Sequence, residues 1–212
     1  MTVAIVAAGQ FPRSEYPKYL LNNADAVICC DGALSTLEKH SIVPDVVIGD
    51  LDSVCARTLG RFKGRKIHDC DQQTNDLTKA FRLAMKEYPQ ADTIHIIGGT
   101  GRSEAHTLGN LSLLMQYEKE FDLNARGISV DMVSDWSTSF AVSDSCELHL
   151  GQGRRISLFS CDTSLRIRSR GLVWPLDEVV FDNWWKATLN IASEDVVSLT
   201  LSHRAPVLVV LD

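Results

Sequence analysis

The sequence predicts an α/β N-terminal domain with a mostly parallel sheet, followed by an all-β sandwich C-terminal domain. In the first half, short apolar runs alternate with stretches whose apolar residues recur at helical spacing, which is the pattern of βαβ units. From Ile128 onward, apolar and polar residues alternate with a period of two, and glycine-rich turns separate the runs. The pattern changes near Asn124, which divides the chain into residues 1–124 and 125–212.

In the first half, each strand-like run is followed directly by Gly or Asp, and most are then followed by a helix-like stretch. The predicted strands cover residues 3–8, 26–30, 46–48, 65–68 and 93–97. The predicted helices cover residues 16–23, 34–40, 54–59, 74–88 and 104–119. The fourth helix is the clearest because Leu77, Phe81 and Ala84 form an apolar stripe. On the fifth helix we expect the inward-facing residues to be Leu108, Leu111, Leu114 and Met115.

The second half contains only strand-like runs. The predicted strands cover residues 128–133, 146–150, 155–159, 165–168 and 197–201. Because only one side of each run is apolar, we expect these strands to pack their apolar sides together as a sandwich.

Composition and charge restrict the class of protein. The chain has 212 residues, of which 45% are hydrophobic and 23% are charged, as is ordinary for a globular protein with one sizeable core or two small domains. The net charge of −6 argues against a nucleic-acid surface but allows a polyphosphate substrate, because bound Mg²⁺ would screen the acidic groups. No apolar run reaches the length of a membrane span, and residues 1–8 lack the basic region of a signal peptide.

The six cysteines include no CxxC pair. We therefore predict reduced, mostly buried thiols and a cytoplasmic protein. The run from His68 to Asp71 contains possible soft-metal ligands, but ligands at adjacent positions cannot all face one ion.

Two carboxylates, Asp50 and Asp52, follow the apolar run that ends at Gly49. If the backbone stays extended, both carboxylates point to one side and Leu51 points to the other. Neighbouring carboxylates repel each other unless a cation lies between them, so the pattern predicts a Mg²⁺ site. The alternative is a polar loop in which Ser53 caps the following helix.

Similar groups follow the neighbouring strands. Ligands of an open parallel sheet bind beyond the carboxyl ends of its strands. The segments at these ends are Gly9-Gln10, Asp31-Gly32, Gly49 to Asp52, Asp69 to Asp76, and Gly98 to Arg102. Four of these five segments contain Asp or clustered Gly, which predicts a functional edge of the sheet.

Two of these segments open helices. Asp76 and Lys79 lie three residues apart on one helix face, so the carboxylate could hold Mg²⁺ while the ammonium contacts a phosphate. The alternative is structural, with Thr74 as the N-cap and Asp76 complementing the helix dipole. The glycines before Arg102 would let backbone N–H groups approach an anion at a helix N-terminus, although they match neither GxGxxG nor a Walker A loop.

An ordered set of motifs resembles the thiamine pyrophosphokinase family. The motifs are DGA from Asp31, PDVVIGDLDSV from Pro44, DQQTNDLTKA from Asp71, GGTGRSEAHTLGNLSLL from Gly98, GLVWPL from Gly171 and ATLN from Ala187. The resemblance covers nearly the whole chain. It implies a homodimer with active sites where the subunits meet, and transfer of the pyrophosphoryl group of ATP to thiamine, giving thiamine diphosphate and AMP.

The resemblance also implies roles for individual residues. The metal and pyrophosphate carboxylates that it implies are Asp50, Asp52 and Asp76, with Asp71 as a supporting catalytic residue. The ATP and phosphate contacts that it implies are Asp31, Gln72, Thr74, Lys79, Gly99, Gly101, Arg102, His106 and Asn110. The thiamine contacts that it implies are Glu104, Trp174, Thr188 and Asn190, and the flat indole of Trp174 suits a cationic thiazolium. The alternative for Trp174 is a core or dimer-interface residue.

The glycine loop departs from the family pattern. The family usually has Gly-Gly-Arg-x-Asp-His here, whereas this chain has Ser103 at the usual Arg and Ala105 at the usual Asp. Arg102 and Glu104 lie one residue away from the positions expected of their types. An alternative function is therefore a catalytically impaired thiamine- or nucleotide-binding homologue. A further alternative is a phosphatase of the haloacid dehalogenase type, which also places Asp-x-Asp after an apolar strand.

Overall fold

The computed structural model describes residues 1–212. Its contacts divide the chain into two compact units. The N-terminal unit comprises residues Met1–Asn110 and Ile128–Asp135, and the C-terminal unit comprises residues Leu111–Gly127 and Trp136–Asp212. None of the helices has both the length and the apolar character needed to cross a membrane.

The N-terminal unit contains a sheet in which all strand pairs are parallel. Its strands are β1 Thr2–Val6, β2 Ala26–Cys30, β3 Val46–Gly49, β4 Arg65–His68, β5 Thr93–Ile97 and β6 Ser129–Val133. Within this unit the hydrogen-bonded order is β6-β5-β1-β2-β3-β4. The central strands are buried on both sides, as their continuous apolar sequences require. The predicted α/β class of the first half is confirmed.

Five helices connect or follow these strands. They are α1 Glu15–Asn22, α2 Leu34–Lys39, α3 Ala56–Arg61, α4 Asp76–Glu87 and α5 Glu104–Phe121. Helix α4 buries Leu77, Phe81 and Ala84, which confirms the apolar stripe read from the sequence. Strand β1 lies between β2 and β5, so the strand order reverses there, and a crevice opens at the carboxyl ends of these strands.

The C-terminal unit is antiparallel and β-rich. Its strands are β7 Thr138–Val142, β8 Cys146–His149, β9 Arg155–Ser160, β10 Ile167–Arg170, β11 Asn190–Ile191, β12 Val196–Leu201 and β13 Val207–Leu211. Strands β11-β9-β13-β7 are neighbours in one sheet, and β10-β12-β8 form another. Apolar residues of both sets share one core, including Leu158 of β9 and Leu199 of β12, so the predicted all-β class of the second half is confirmed.

The period of two at residues 128–133 had indicated a strand of the C-terminal all-β part. These residues belong instead to the N-terminal unit. They contain β6, which pairs in parallel with β5. Its polar residue Asp131 lies opposite His95, and the carboxylate is 2.7 Å from the imidazole Nδ1. Because Asp131 is hydrogen-bonded to a cross-strand partner, a polar residue is tolerated inside the parallel sheet. The resulting alternation of apolar and polar residues is the same as in an antiparallel strand with one solvent-exposed face.

Two predicted helix caps are wrong. Helix α3 begins at Ala56, not at residue 54, and the hydroxyl of Ser53 donates to Asp52 instead of capping a helix. Helix α4 is capped by Asn75, whose side chain accepts from the backbone N–H of Thr78 at 2.8 Å. In the second case Asn75 took the role predicted for Thr74, because two good capping residues are adjacent and local sequence cannot choose between them.

Two burial predictions are also wrong. On α5 the predicted burial of Leu114 and Met115 is confirmed, but Leu108 is 52% exposed instead of facing inward. Among the cysteines only Cys29 and Cys30 are buried, since both lie in the central strand β2, whereas Cys55, Cys70 and Cys161 are exposed. The exposed cysteines lie in connecting segments, where there is no sheet face to cover them.

Candidate active site

A cleft of about 640 Å³ opens where the order of the parallel strands reverses. It is lined by segments that follow β1, β2 and β5 and by the first turns of α4 and α5. The lining residues are Ala7, Ala8, Gly9, Cys30, Asp31, Gly32, Ser53, Asn75, Asp76, Leu77, Gly99, Thr100, Arg102, Ser103, His106, Thr107 and Asn110. The lining combines acidic side chains with glycines, an arginine and the N-termini of α4 and α5, a combination suited to a metal-bound phosphate chain.

Three carboxylates converge just beyond the carboxyl ends of β2 and β3. Oxygen atoms of Asp31, Asp50 and Asp52 all lie within 4.8 Å of one another. Asp31 is only 1% exposed, and its Oδ1 accepts a 2.5 Å hydrogen bond from the N–H of Gly32. Its Oδ2 is buried and has no hydrogen-bond partner within the protein.

The buried Asp31 carboxylate fits a divalent cation. Burial, followed by the charge of Asp76, raises the pKa of Asp31, because no counter-charge balances it. An unpartnered oxygen among three carboxylates is the donor set that Mg²⁺ prefers, and the ion would supply the missing counter-charge.

Asp50 and Asp52 reach the same place by a different local geometry from the one expected. Leu51 has φ = 62°, so the backbone turns instead of staying extended, and the Leu51 side chain packs on the apolar core. Asp50 accepts from the N–H of Asp52 at 3.2 Å and from the amide of Gln72 at 3.2 Å. These hydrogen bonds lower the pKa of Asp50, which keeps its carboxylate ionised.

Lys79 is withdrawn from solvent. Its side chain is 4% exposed, and Nζ donates to the carbonyl of Asp69 at 3.0 Å and to Asp76 Oδ1 at 3.2 Å. Burial alone would lower the pKa of Lys79, but the hydrogen bond and charge of Asp76 outweigh it and raise the pKa. Lys79 therefore stays charged, and it orients Asp76, which lines the cleft outside the group of three carboxylates.

The loop before α4 places Asp71, Gln72 and Thr74 beside the cleft lining without making them part of it. Asp71 accepts from the hydroxyl of Thr74 at 2.7 Å and from the N–H of Gln73 at 2.9 Å. The Thr74 hydroxyl, followed by the Gln73 N–H, lowers the pKa of Asp71. A lowered pKa weakens Asp71 as a proton acceptor at neutral pH.

The glycine loop is held by side chains on both sides. Asn110 donates to the carbonyl of Gly99 at 2.7 Å, and the N–H of Gly101 donates to Thr107 at 3.1 Å. Arg102 donates to the carbonyl of Ala8 at 3.2 Å, which ties the loop to the end of β1. Gly101 has φ = 85°, a conformation that a side chain would strain. His106 lies on the exposed face of α5 and lines the cleft.

Two family models match consecutive parts of the chain. Residues 17–125 match the model described as thiamin pyrophosphokinase, catalytic domain, and residues 138–209 match thiamin pyrophosphokinase, substrate-binding domain. The chain belongs to the thiamin pyrophosphokinase family. It is therefore a kinase-type transferase of thiamine biosynthesis, and the family that the sequence motifs indicated is confirmed. Neither match favours a haloacid dehalogenase phosphatase or an impaired homologue.

Solved structures of the family share the fold. The thiamine pyrophosphokinase of Bacillus subtilis is 19% identical with a TM-score of 0.77, covering 100% of this chain and 99% of that one. The yeast enzyme is 15% identical with a TM-score of 0.77, covering 100% and 86%. The Candida albicans enzyme is 14% identical with a TM-score of 0.75, covering 99% and 89%. A comparison with curated protein sequences found no match.

The departure from the family pattern lies at the rim of the cleft. Glu104 and Ala105 are exposed in the first turn of α5 and do not line the cleft. Ser103 and Arg102 do line it, so the basic side chain is kept one residue before its usual position. Other lining residues were not expected to contact a ligand, among them Ala8, Ser53, Ser103 and Thr107. Ser53 had been expected only as a helix cap, and the available sequence signals were the strand end at Gly9 and the family motifs that contain Ser53, Ser103 and Thr107.

Three of the four thiamine contacts implied by the resemblance, Trp174, Thr188 and Asn190, lie in the C-terminal unit, whereas Glu104 lies in the N-terminal unit. Trp174 is 56% exposed. Thr188 donates its hydroxyl to the carbonyl of Trp185 at 2.8 Å, and Asn190 donates its side-chain amide to the carbonyl of Trp174 at 2.6 Å. Both polar side chains thus hold the backbone of a tryptophan.

The unbalanced charge of Asp31 makes stability depend on pH. Because its pKa is raised on folding, the folded state binds more protons than the unfolded state between the two pKa values, and stability falls as pH rises through the folded pKa. We expect Asp31→Asn to raise the melting temperature of the metal-free protein at pH 7 and to leave it unchanged at pH 3. Calorimetry at both pH values checks this. Equal melting temperatures of the wild type and Asp31→Asn at pH 7 would show that the charge of Asp31 is already balanced within the protein.

Proposed function

We propose that this chain transfers the pyrophosphoryl group of ATP to thiamine, giving thiamine diphosphate and AMP. The observation that carries the proposal is the convergence of Asp50 and Asp52 on Asp31, which lines the cleft, within residues 17–125 that match the catalytic-domain model. The hydroxyl oxygen of thiamine attacks the β-phosphorus, and the bond from that phosphorus to the oxygen bridging the α- and β-phosphates breaks. AMP leaves, and no covalent enzyme intermediate forms.

The metal would be held by carboxylates. We propose Mg²⁺ at Asp50, Asp52 and Asp76, as the resemblance implies, with Asp31 as a buried fourth carboxylate. When bound there, Mg²⁺ would neutralise charge on the phosphates and help orient them. The three-carboxylate group and the unpartnered Asp31 oxygen support the part of this assignment that concerns Asp31, Asp50 and Asp52, and the place of Asp76 rests on the resemblance.

The other residues position substrates and offset charge. Backbone N–H groups of the glycine loop at Gly99, with the guanidinium of Arg102, face the phosphate chain as AMP departs. Lys79 contributes through Asp76 and not by direct contact, because its Nζ is buried and already paired. The supporting contacts that we propose are Asp31, Gln72, Thr74, Gly101, His106 and Asn110. Asp71 is the proposed proton acceptor, and its lowered pKa makes it a weak base. A weak base is sufficient here, because a reaction with a dissociative transition state needs little help in removing the proton of the attacking hydroxyl.

The two parts of the chain are proposed to bind different ligands. We propose that residues 1–124 bind nucleotide and metal and that residues 125–212 bind thiamine through Trp174, Thr188 and Asn190. Glu104 is the proposed substitute for the aspartate missing at Ala105. We further propose a cytoplasmic homodimer with its active sites at the subunit interface. Sedimentation velocity tests the dimerisation directly.

A product assay tests the function. Purified protein is incubated with thiamine, ATP and MgCl₂, and the products are separated by chromatography. We expect thiamine diphosphate and AMP in equal amounts, and we expect EDTA to abolish both. Thiamine monophosphate with ADP would indicate transfer of a single phosphoryl group. Free phosphate without a thiamine ester would indicate a hydrolase. Either of these results would overturn the proposal.

A further inference from the structure

The backbone of Trp174 is held by one side chain. The side-chain Oδ1 of Asn190 accepts from the N–H of Trp174 at 3.2 Å, and its Nδ2 donates to the carbonyl of the same residue at 2.6 Å. Asn190 is 4% exposed, whereas the indole of Trp174 is largely exposed. A buried amide thus holds the backbone N–H and carbonyl of a residue whose aromatic side chain is more than half exposed.

The backbone pairing of this segment ends just before Trp174. Leu172 and Ala192 form an antiparallel bridge, and the N–H of Val173 donates to the carbonyl of Ile191 at 2.9 Å. In this register Trp174 lies opposite Asn190 at a non-hydrogen-bonded position, where regular pairing gives its backbone N–H and carbonyl no partner on the facing strand. Leu189, just before Asn190, has φ = 55°, a left-handed conformation at which the facing chain turns. The side chain of Asn190 supplies both a donor and an acceptor to the Trp174 backbone.

Asn190 has little capacity left for a ligand. Its Oδ1 has two lone pairs, and they accept from Trp174 N and from Ile191 N, the latter at 2.8 Å. Its Nδ2 has two N–H groups, and one of them is used by Trp174 O. A buried amide with a single remaining donor is poorly placed to recognise substrate directly.

We propose that Asn190 is a positioning residue that acts on the flat cationic substrate through Trp174. This inference rests on the proposed function, in which the Trp174 indole contacts thiamine. Holding the backbone in one conformation presents the indole face at a fixed place, so less freedom is lost when the cation binds. Removing the amide leaves the indole present but mobile, which weakens binding without altering the reacting groups.

The kinetic expectation is a split between binding and chemistry. In Asn190→Ala, the KM for thiamine should rise roughly tenfold, kcat should stay within about threefold, and the KM for ATP should not change. Ser169→Ala is the matched control. The Ser169 hydroxyl accepts from the N–H of Leu176 at 2.9 Å, so this change also removes one side-chain anchor of the same segment, at a residue two positions beyond Trp174 and without touching the Trp174 backbone.

A double-mutant cycle distinguishes indirect from direct action. The thiamine KM is measured for Asn190→Ala, for Trp174→Ala and for the two changes together. If Asn190 acts through Trp174, its removal has no further effect once the indole is gone. Independent, additive effects would mean that Asn190 contacts the substrate itself and would overturn the inference. Asn190→Ser, whose shorter hydroxyl keeps a polar group but cannot reach both Trp174 backbone groups, should give an intermediate KM and serves if the alanine variant does not fold.

A second readout does not depend on activity. Protein labelled with 5-fluorotryptophan carries four tryptophans, and Trp174→Phe assigns the Trp174 signal in the ¹⁹F spectrum. Asn190→Ala should shift or broaden that signal, and Ser169→Ala should leave it unchanged. An unchanged Trp174 signal in Asn190→Ala would show that the amide does not position the indole. Wild-type protein that neither converts nor binds thiamine would overturn the proposed function instead, and the spectrum would still decide whether the anchor exists.

Discussion

Turnover of Asp52→Asn is expected to fall by about a hundredfold or more, with a melting temperature close to that of the wild type. Asp52 is exposed, and the hydrogen bond from Ser53 at 3.0 Å is one that an asparagine oxygen can also accept, so folding loses little. The lost charge, however, removes one of three carboxylates that lie within 4.8 Å of one another. Fewer negative ligands bind Mg²⁺ more weakly.

Steady-state rates over a MgCl₂ titration, together with thermal melts, measure both effects. Raising MgCl₂ should recover part of the lost activity if the metal site is weakened and not destroyed. Glu194→Gln is the control, because it removes one exposed carboxylate in the C-terminal unit. Wild-type turnover in Asp52→Asn would contradict the metal site. A large drop in melting temperature would instead mark Asp52 as a structural residue.

Gly49→Ala is expected to destabilise the protein by about 3 kcal/mol and to weaken Mg²⁺ binding as well. Gly49 has φ = 155°, which residues with a side chain rarely adopt. An added Cβ would lie 2.6 Å from Cγ and 2.9 Å from Oδ2 of Asp31. Because Asp31 is buried, its carboxylate cannot move aside freely, so the substitution strains the backbone and displaces a proposed metal ligand together.

Urea unfolding with and without MgCl₂ measures the two losses separately. Gly60→Ala is a matched control, because an added Cβ there meets nothing within 4 Å and Gly60 lies within the helix α3. That change should be neutral or stabilising by up to about 1 kcal/mol. A Gly49→Ala protein as stable as the wild type, with the same gain on adding Mg²⁺, would show that Asp31 is not confined as described.

The edge of the sheet that carries the acidic residues could be predicted because its signals are local. An apolar run followed by Gly or Asp marks the carboxyl end of a strand, and parallel pairing brings such ends to one edge. The proposed metal ligands Asp50 and Asp52 were expected together on this basis. They do converge, although the left-handed conformation of Leu51 brings them together and not the extended backbone that was assumed. Their catalytic role stays a prediction.

Other features could not be predicted because they depend on partners distant in sequence. The period of two at residues 128–133 is compatible with either kind of sheet, and only pairing with β5 decides between them. Lys79 was expected at a phosphate because it shares a helix face with Asp76. Its burial against the carbonyl of Asp69 depends on how α4 packs, which helical spacing does not describe.

By itself, the sequence determined the α/β and all-β classes, most strand positions of the first half, and the family, since these follow from periodicity and from an ordered set of motifs. Only the tertiary structure decided that Asp31 is buried with an unpartnered oxygen and that Asn190 grips the backbone of Trp174. Asp31 and the Asp50–Asp52 pair are about twenty residues apart in the chain, and Asn190 and Trp174 are sixteen apart. Burial and hydrogen-bond pairing are set by which strands become neighbours, and that depends on long-range packing, which no local pattern records.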